Sequence, residues 1–491
     1  MISFLVEKFV TVVFVALGVV LFGWIFPGVY LALEDALFRL MLGPELIRTR
    51  LRRIAREDYT LLVKQYEDDR GVTRYFARTV AVFDRITQLY RLLRELRDLM
   101  RAKRGDLYRG LIMRMRYAWL DGLQTSVILD QMNILKRLPP VTKDDLDLEA
   151  STMIANLTYL LGDLRNGRQL AEENMMRARE RDGNAIPRNQ WRAAYAYCNS
   201  QLFLGDFDEA ATDLGQRWKY DYEKLNHDFR NQLHQEFRVL LLDPIASVPR
   251  HMILAAAFKG QAIRTDDTRQ TLYEVPKGLP PEEQWIQGWY TAGIDLCERS
   301  EEGKPEDEKT KIGLHFTHAY MALYRAAVPG GAANDEVLKI LEQIPPTAKI
   351  VALYAKHAVR GIYYFSISSP MEPGDANLKS ALSDLRAADA YSRMSGNRFL
   401  EGVLLPVYAA ATARSGIYAH PETIRILERA QKHAHLARSP FYHALIAAAC
   451  ATLAYAEGDR AEFARLRRRA ENYGKEMPYG FVRIFRLDAH D

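Results

Sequence analysis

Residues 9–33 (FVTVVFVALGVVLFGWIFPGVYLAL) carry no charge between Lys8 and Glu34. A bilayer hydrocarbon core of ~30 Å takes about 20 apolar residues in an α-helix, and this run of 25 reads as a membrane anchor marked by Phe9, Trp24, Pro27 and Leu33. Pro27-Gly28 divides it, because a proline removes a helix hydrogen bond and kinks or ends the helix. Residues 9–26 alone reach about 27 Å at 1.5 Å per residue, enough to span. Beyond Gly28, Val29, Leu33, Leu37, Leu40 and Met41 stand against Glu34, Asp35 and Arg39, which suits an interfacial helix over 29–42. One tilted, kinked span over 9–33 is the other reading, and the residues leave both open. A cleaved leader is disfavoured, since the n-region has only Lys8 against Glu7 and no small-x-small site follows.

After this anchor (1–43) the period becomes helical throughout. In 44–125, Leu89, Leu92, Leu93, Leu96, Leu99 and Met100 recur at three- and four-residue steps, with Arg91, Arg94, Arg97 and Arg101 on the other side. From 126 to 474 the pattern predicts helix after helix. Two stretches interrupt it: a polar, proline-bearing loop near 264–284 and a charged connection over 301–311. The tail, 475–491, keeps an apolar cluster of Phe481, Val482, Ile484 and Phe485 that reads as a cap on the last repeat or a docking element.

The helical region has a rhythm. Turn glycines fall at Gly162 and Gly205, 43 residues apart, and at Gly331, Gly374, Gly416 and Gly458, separated by 43, 42 and 42. The 126 residues between Gly205 and Gly331 equal three further intervals of 42. Periods of this size belong to helical solenoids. The clearest unit is 191–214, where Leu204, Gly205, Asp206, Phe207, Asp208, Glu209 and Ala210 form the turn. Gly205 suits the left-handed end of a helix, Asp206 or Asp208 the cap of the next, and Ala210 a close helix approach. This turn resembles that of tetratricopeptide repeats, Leu-Gly-x-aromatic-x-x-Ala. The resemblance implies an all-α fold, a right-handed tetratricopeptide-like α-solenoid of helix pairs after the transmembrane helix, and a role in binding other proteins. The units are longer than that family's 34 residues, and Cys198 and Gln201 stand where it has a small residue and a tyrosine.

Charge adds orientation. The net +5 conceals a local +9 between residues 45 and 116, leaving the rest at −4. Arg48, Arg50, Arg52 and Arg53 follow the anchor closely, so the body is expected in the cytoplasm, with the arginines of 44–125 near anionic headgroups or an acidic partner. A bacterial inner-membrane protein, single-pass or monotopic, is the implied location. Cys198, Cys297 and Cys450 are isolated and make neither a disulfide framework nor a zinc motif. No specific nucleic acid is expected, as recognition motifs are lacking and interleaved aromatics are sparse.

Chemistry-bearing motifs are absent: no phosphate loop, dinucleotide fingerprint, HExxH or GxSxG occurs. His315 and His318, three residues apart on one predicted helix, can share a face but have no further ligands, so no metal or cofactor is expected. Tyr354, Arg360, Tyr363 and Tyr364 are the candidate partner groove, because Tyr and Arg dominate binding hot spots. The expected function is a non-enzymatic, membrane-anchored scaffold for protein subunits of a membrane complex, such as an envelope or secretion assembly, with homo-oligomers also allowed. The alternative is a regulatory or sensory subunit binding a peptide or small ligand in the solenoid groove.

Overall fold

The first helix of each pair is apolar on most sides and the second on one stripe, and this contrast explains the packing. The structure, a computed structural model, describes residues 146–182, 188–218, 244–263, 280–302, 311–328, 334–369, 374–395, 400–416, 420–473 and 479–490. The anchor with Phe9, Trp24, Pro27 and Leu33, the helices expected over 44–125 with Arg48, Arg50, Arg52, Arg53, Arg91, Arg94, Arg97 and Arg101, and most of the 264–284 loop lie outside these residues. Among the described residues no helix is long and apolar enough to cross a membrane.

Every regular element described is helical. The pairs are α1 (Leu146–Leu160) with α2 (Leu164–Asp182), α3 (Arg188–Leu204) with α4 (Phe207–Arg217), and α5 (Pro244–Lys259) with α6 (Pro281–Glu301). They continue as α7 (Ile312–Ala327) with α8 (Asn334–Glu342), α9 (Ile350–Ile367) with α10 (Ala376–Ser395), α11 (Glu401–Arg414) with α12 (His420–Ala437), and α13 (Pro440–Ala456) with α14 (Arg460–Tyr473). Two 3-10 turns, Gly480–Phe485 and Leu487–His490, form a closing segment. All of α11 is buried, whereas α14 buries only Phe463, Leu466 and Ala470, a stripe at helical spacing.

Gly162, Gly205, Gly416 and Gly458 all take positive φ. At Gly205 (φ 104°) the turn is a Schellman motif: Asp206 N–H donates to Gln201 O at 3.0 Å and Gly205 N–H to Leu202 O at 3.3 Å. Asp206 stands at the N-cap of α4 but makes no side-chain cap bond; Arg168 of α2 holds its carboxylate at 2.9 Å instead. The even rhythm fails in the middle of the array. Ser247 and Trp289, where 42-residue steps place turns, lie inside α5 and α6, and the positive-φ glycine between these helices is Gly260. α6 also begins at Pro281, inside the stretch expected as loop, because proline's fixed φ suits a helix start.

Residues Asp147–Ser392 and Asn397–Asp491 cluster as one compact unit, and within it the helix pairs stack in a solenoid-like arrangement. α3 packs on α5, α5 on α7, α7 on α9, α9 on α11 and α11 on α13; α13 then meets α3, and α12 meets α2. The array thus returns upon its own beginning. Ser439 marks the join: its hydroxyl donates to Phe203 O at 2.6 Å and accepts Tyr442 N–H as the N-cap of α13. Phe441 lies edge-on to Phe207, ring centres 5.2 Å apart.

The closing segment fills the surface where these helices converge. It packs against α5, α7, α9 and α13, and Phe481 and Phe485 are fully buried. Phe481 meets Phe258 of α5, and Phe485 meets Phe365 of α9. Arg414 donates to the Phe485 carbonyl while its guanidinium covers the Phe365 ring at 4.3 Å, and Arg486 reaches Ser368 O at 3.1 Å.

Candidate functional site

The candidate groove residues sit on α9, and their side chains divide between interior and surface. Tyr354 is completely buried and Tyr363 nearly so, its ring 5.4 Å from that of the half-buried Tyr364. Arg360 grips Asp384 of α10 with two bonds, Nε to Oδ2 at 2.7 Å and Nη2 to Oδ1 at 2.5 Å. His357, one turn earlier, donates to the same carboxylate at 2.8 Å and stacks on Tyr391. Burial alone would raise the Asp384 carboxyl, but the bonds from His357 and Arg360 hold it below the usual carboxylate range. Lys356 donates to Ile344 O at 2.5 Å, tying α9 to the connection before it. The group is thus first a clamp between helices. Tyr364 and part of Arg360 remain facing outward.

A second polar cluster joins α10, α11 and α12, and the sequence reading missed it. Glu401, 3% exposed, accepts the Ser392 hydroxyl at 2.5 Å and lies against His433 Nε2. Arg429 holds Asp389 through two bonds of 2.8 and 3.1 Å. Burial would raise Glu401, but His433, with help from Arg429 and Ser392, pulls it down to about 2. Serine, histidine and glutamate so close suggest a nucleophile with its base. The bond runs from the Ser392 hydroxyl to the Glu401 carboxylate, whereas an activated serine donates to the imidazole that takes its proton. The cluster draws on residues 389–433 of three helices, and no local spacing marks it.

Other titratable groups are quiet. His315 and His318 are pushed down to about 4, chiefly by burial, and are neutral at pH 7; His318 bonds the Tyr290 hydroxyl at 2.8 Å. Among the described residues no group of three or more His, Cys, Asp or Glu is placed to hold a metal. Burial raises the Cys198 thiol to about 12 and that of Cys450 to about 11, so neither is a thiolate at neutral pH.

The outer surface carries charge. A shallow concavity on α14 is lined by Ala461, Ala464, Arg465, Arg468, Arg469 and Tyr473. Arg465 is paired with Glu462, and Arg467 with Glu471 and Asp488. Arg460 and Arg468 make no ion pair among the described residues. No known protein family matches the chain, and no curated protein is significantly similar to it.

Proposed function

We propose that this protein is a non-enzymatic scaffold, anchored through residues 9–33 in a bacterial inner membrane, whose cytoplasmic, right-handed tetratricopeptide-like array binds other subunits of a membrane complex. The observation that supports it best is the solenoid-like stack of helix pairs, an architecture that offers long surfaces to partners. Because the closing segment occupies the surface where the first helices converge, partners are assigned to the second helices. There, among the described residues, Met176, Ile424 and Leu436 are the large apolar side chains left exposed, and α14 presents its arginines. Acidic protein surfaces or anionic headgroups fit the latter.

The test is site-specific photo-crosslinking in intact cells. Probes at Ile424 and Arg468 should yield adducts of defined mass with subunits that also copurify in mild detergent, and a probe at the buried Tyr354 should yield none. Failure of both surface probes in a well-expressed, membrane-bound protein would count against the scaffold. The second reading, a regulatory or sensory subunit that binds a small ligand in the array, is favoured by a buried arginine on α5.

A further inference from the structure

Arg250 lies in the first half of the array on α5, among side chains from four helices. It is 2% exposed, one of the largest fully buried side chains. Its Nη2 donates to the Ser247 hydroxyl one turn back on the same helix, and its Nη1 has no hydrogen-bond partner among the described residues. No carboxylate among the described residues pairs with it. Around it stand Tyr159 of α1 and Tyr320 of α7, both buried and both within its electrostatic reach. Tyr159 is hydrogen-bonded to Tyr195 of α3, and the Tyr195 ring lies 5.4 Å from that of His251. His251 donates from Nδ1 to Ser247 O at 2.6 Å and, lowered to about 3 by burial and by Arg250, is neutral.

A guanidinium deep in a protein without a counter-charge is costly. Lysine escapes that cost by losing its proton, but arginine keeps its charge at any physiological pH. The charge therefore calls for an anion. We propose that Arg250, with the hydroxyls of Tyr195 and Tyr320, forms a binding site for a small oxyanion, the carboxylate or phosphate group of a ligand. The planar fork of arginine matches both groups with paired hydrogen bonds, phenol hydroxyls add donors, and the rings suit a flat apolar ligand body. Tyr195 is only half-buried and leads from the cluster toward solvent. The closing segment is elsewhere, against Phe258, Lys259 and Gly260 at the far end of α5, roughly 12 Å along the helix axis. The inference deepens the ligand-binding reading and is independent of the scaffold.

The experiment is thermal unfolding of the full chain in detergent, titrated with inorganic phosphate or with benzoate against chloride at matched ionic strength. The expected result is a saturable rise in midpoint with one of the two beyond chloride, which also tells phosphate from carboxylate. In Arg250→Met the rise should vanish, and the midpoint without anion should exceed that of the parent because the uncompensated charge is gone. In Arg250→Lys, which keeps charge without the fork, saturation should need about tenfold more anion. No saturable rise in the parent, or an equal rise in Arg250→Met, overturns the site. Should the methionine variant fail to fold, an unchanged saturation concentration in Arg250→Lys overturns it alone. Crosslinking at Ile424 and Arg468 reads the scaffold separately.

Discussion

Gly480 is closed in by backbone on the side a Cβ would occupy. A Cβ there would overlap the Lys259 carbonyl and the Gly260 backbone, and neither can move without moving α5. Gly480→Ala should therefore lower stability by about 3 kcal/mol, the upper range of overpacking. Gly458 provides the contrast. Nothing lies within 4 Å of its added Cβ, but its φ of 80° strains an alanine, and about 1 kcal/mol should be lost in Gly458→Ala. Thermal melts of both variants beside the parent rank the two effects. Glu401 makes a different demand. Its carboxyl lies at about 2 in the folded state against an ordinary 4.5, so the unfolded chain binds its proton first as the solution acidifies. The stability it contributes is complete above about pH 4.5 and is lost as pH falls toward 2. In Glu401→Gln stability should fall at neutral pH by about 3 kcal/mol for a broken buried pair, and the melting midpoint should vary less between pH 5 and 2. An unchanged acid profile would show that other carboxylates, Asp384 among them, govern it.

Among elements, the closing segment has the most to lose. Phe485→Ala removes a fully buried ring held against Phe365 and should cost about 4 kcal/mol. Arg483, exposed on the same turn, should tolerate alanine within about 0.5 kcal/mol. Chemical unfolding of the two variants measures the difference. What the sequence made legible in these elements was local. Helical spacing and the glycine turns at 162, 205, 416 and 458 depend on a few neighbouring residues, and they stand where the pattern put them. Partners far along the chain were not legible. Asp206 looked like a cap because a short acidic side chain before a helix usually is one, yet Arg168, 38 residues earlier, binds it. The seam between Phe203 and Ser439 crosses 236 residues, and no periodicity reports on it. Tyr354 and Tyr363 illustrate the same limit: an aromatic run on an amphipathic helix does not say which ring turns inward.

For the whole molecule, the proposed anchor makes a direct prediction. Removing residues 1–43 should shift the protein from the membrane fraction to the supernatant at moderate salt, and a fraction that resists would point to the arginines that follow as a second attachment. A reporter fused after residue 491 should be active on the cytoplasmic side if the arginines near the anchor orient it. The order of the chain has its own consequence. Residues 479–490 leave the ribosome after every helix they pack on. Until they arrive, Phe258, Phe365 and Phe441 lack the rings that cover them, and α3 and α13 have a seam with no filler beneath it. Nascent chains should therefore hold an exposed aromatic surface until residues 479–490 have been made, a natural binding surface for chaperones. A chain cut after residue 478 would leave that surface open for the life of the protein.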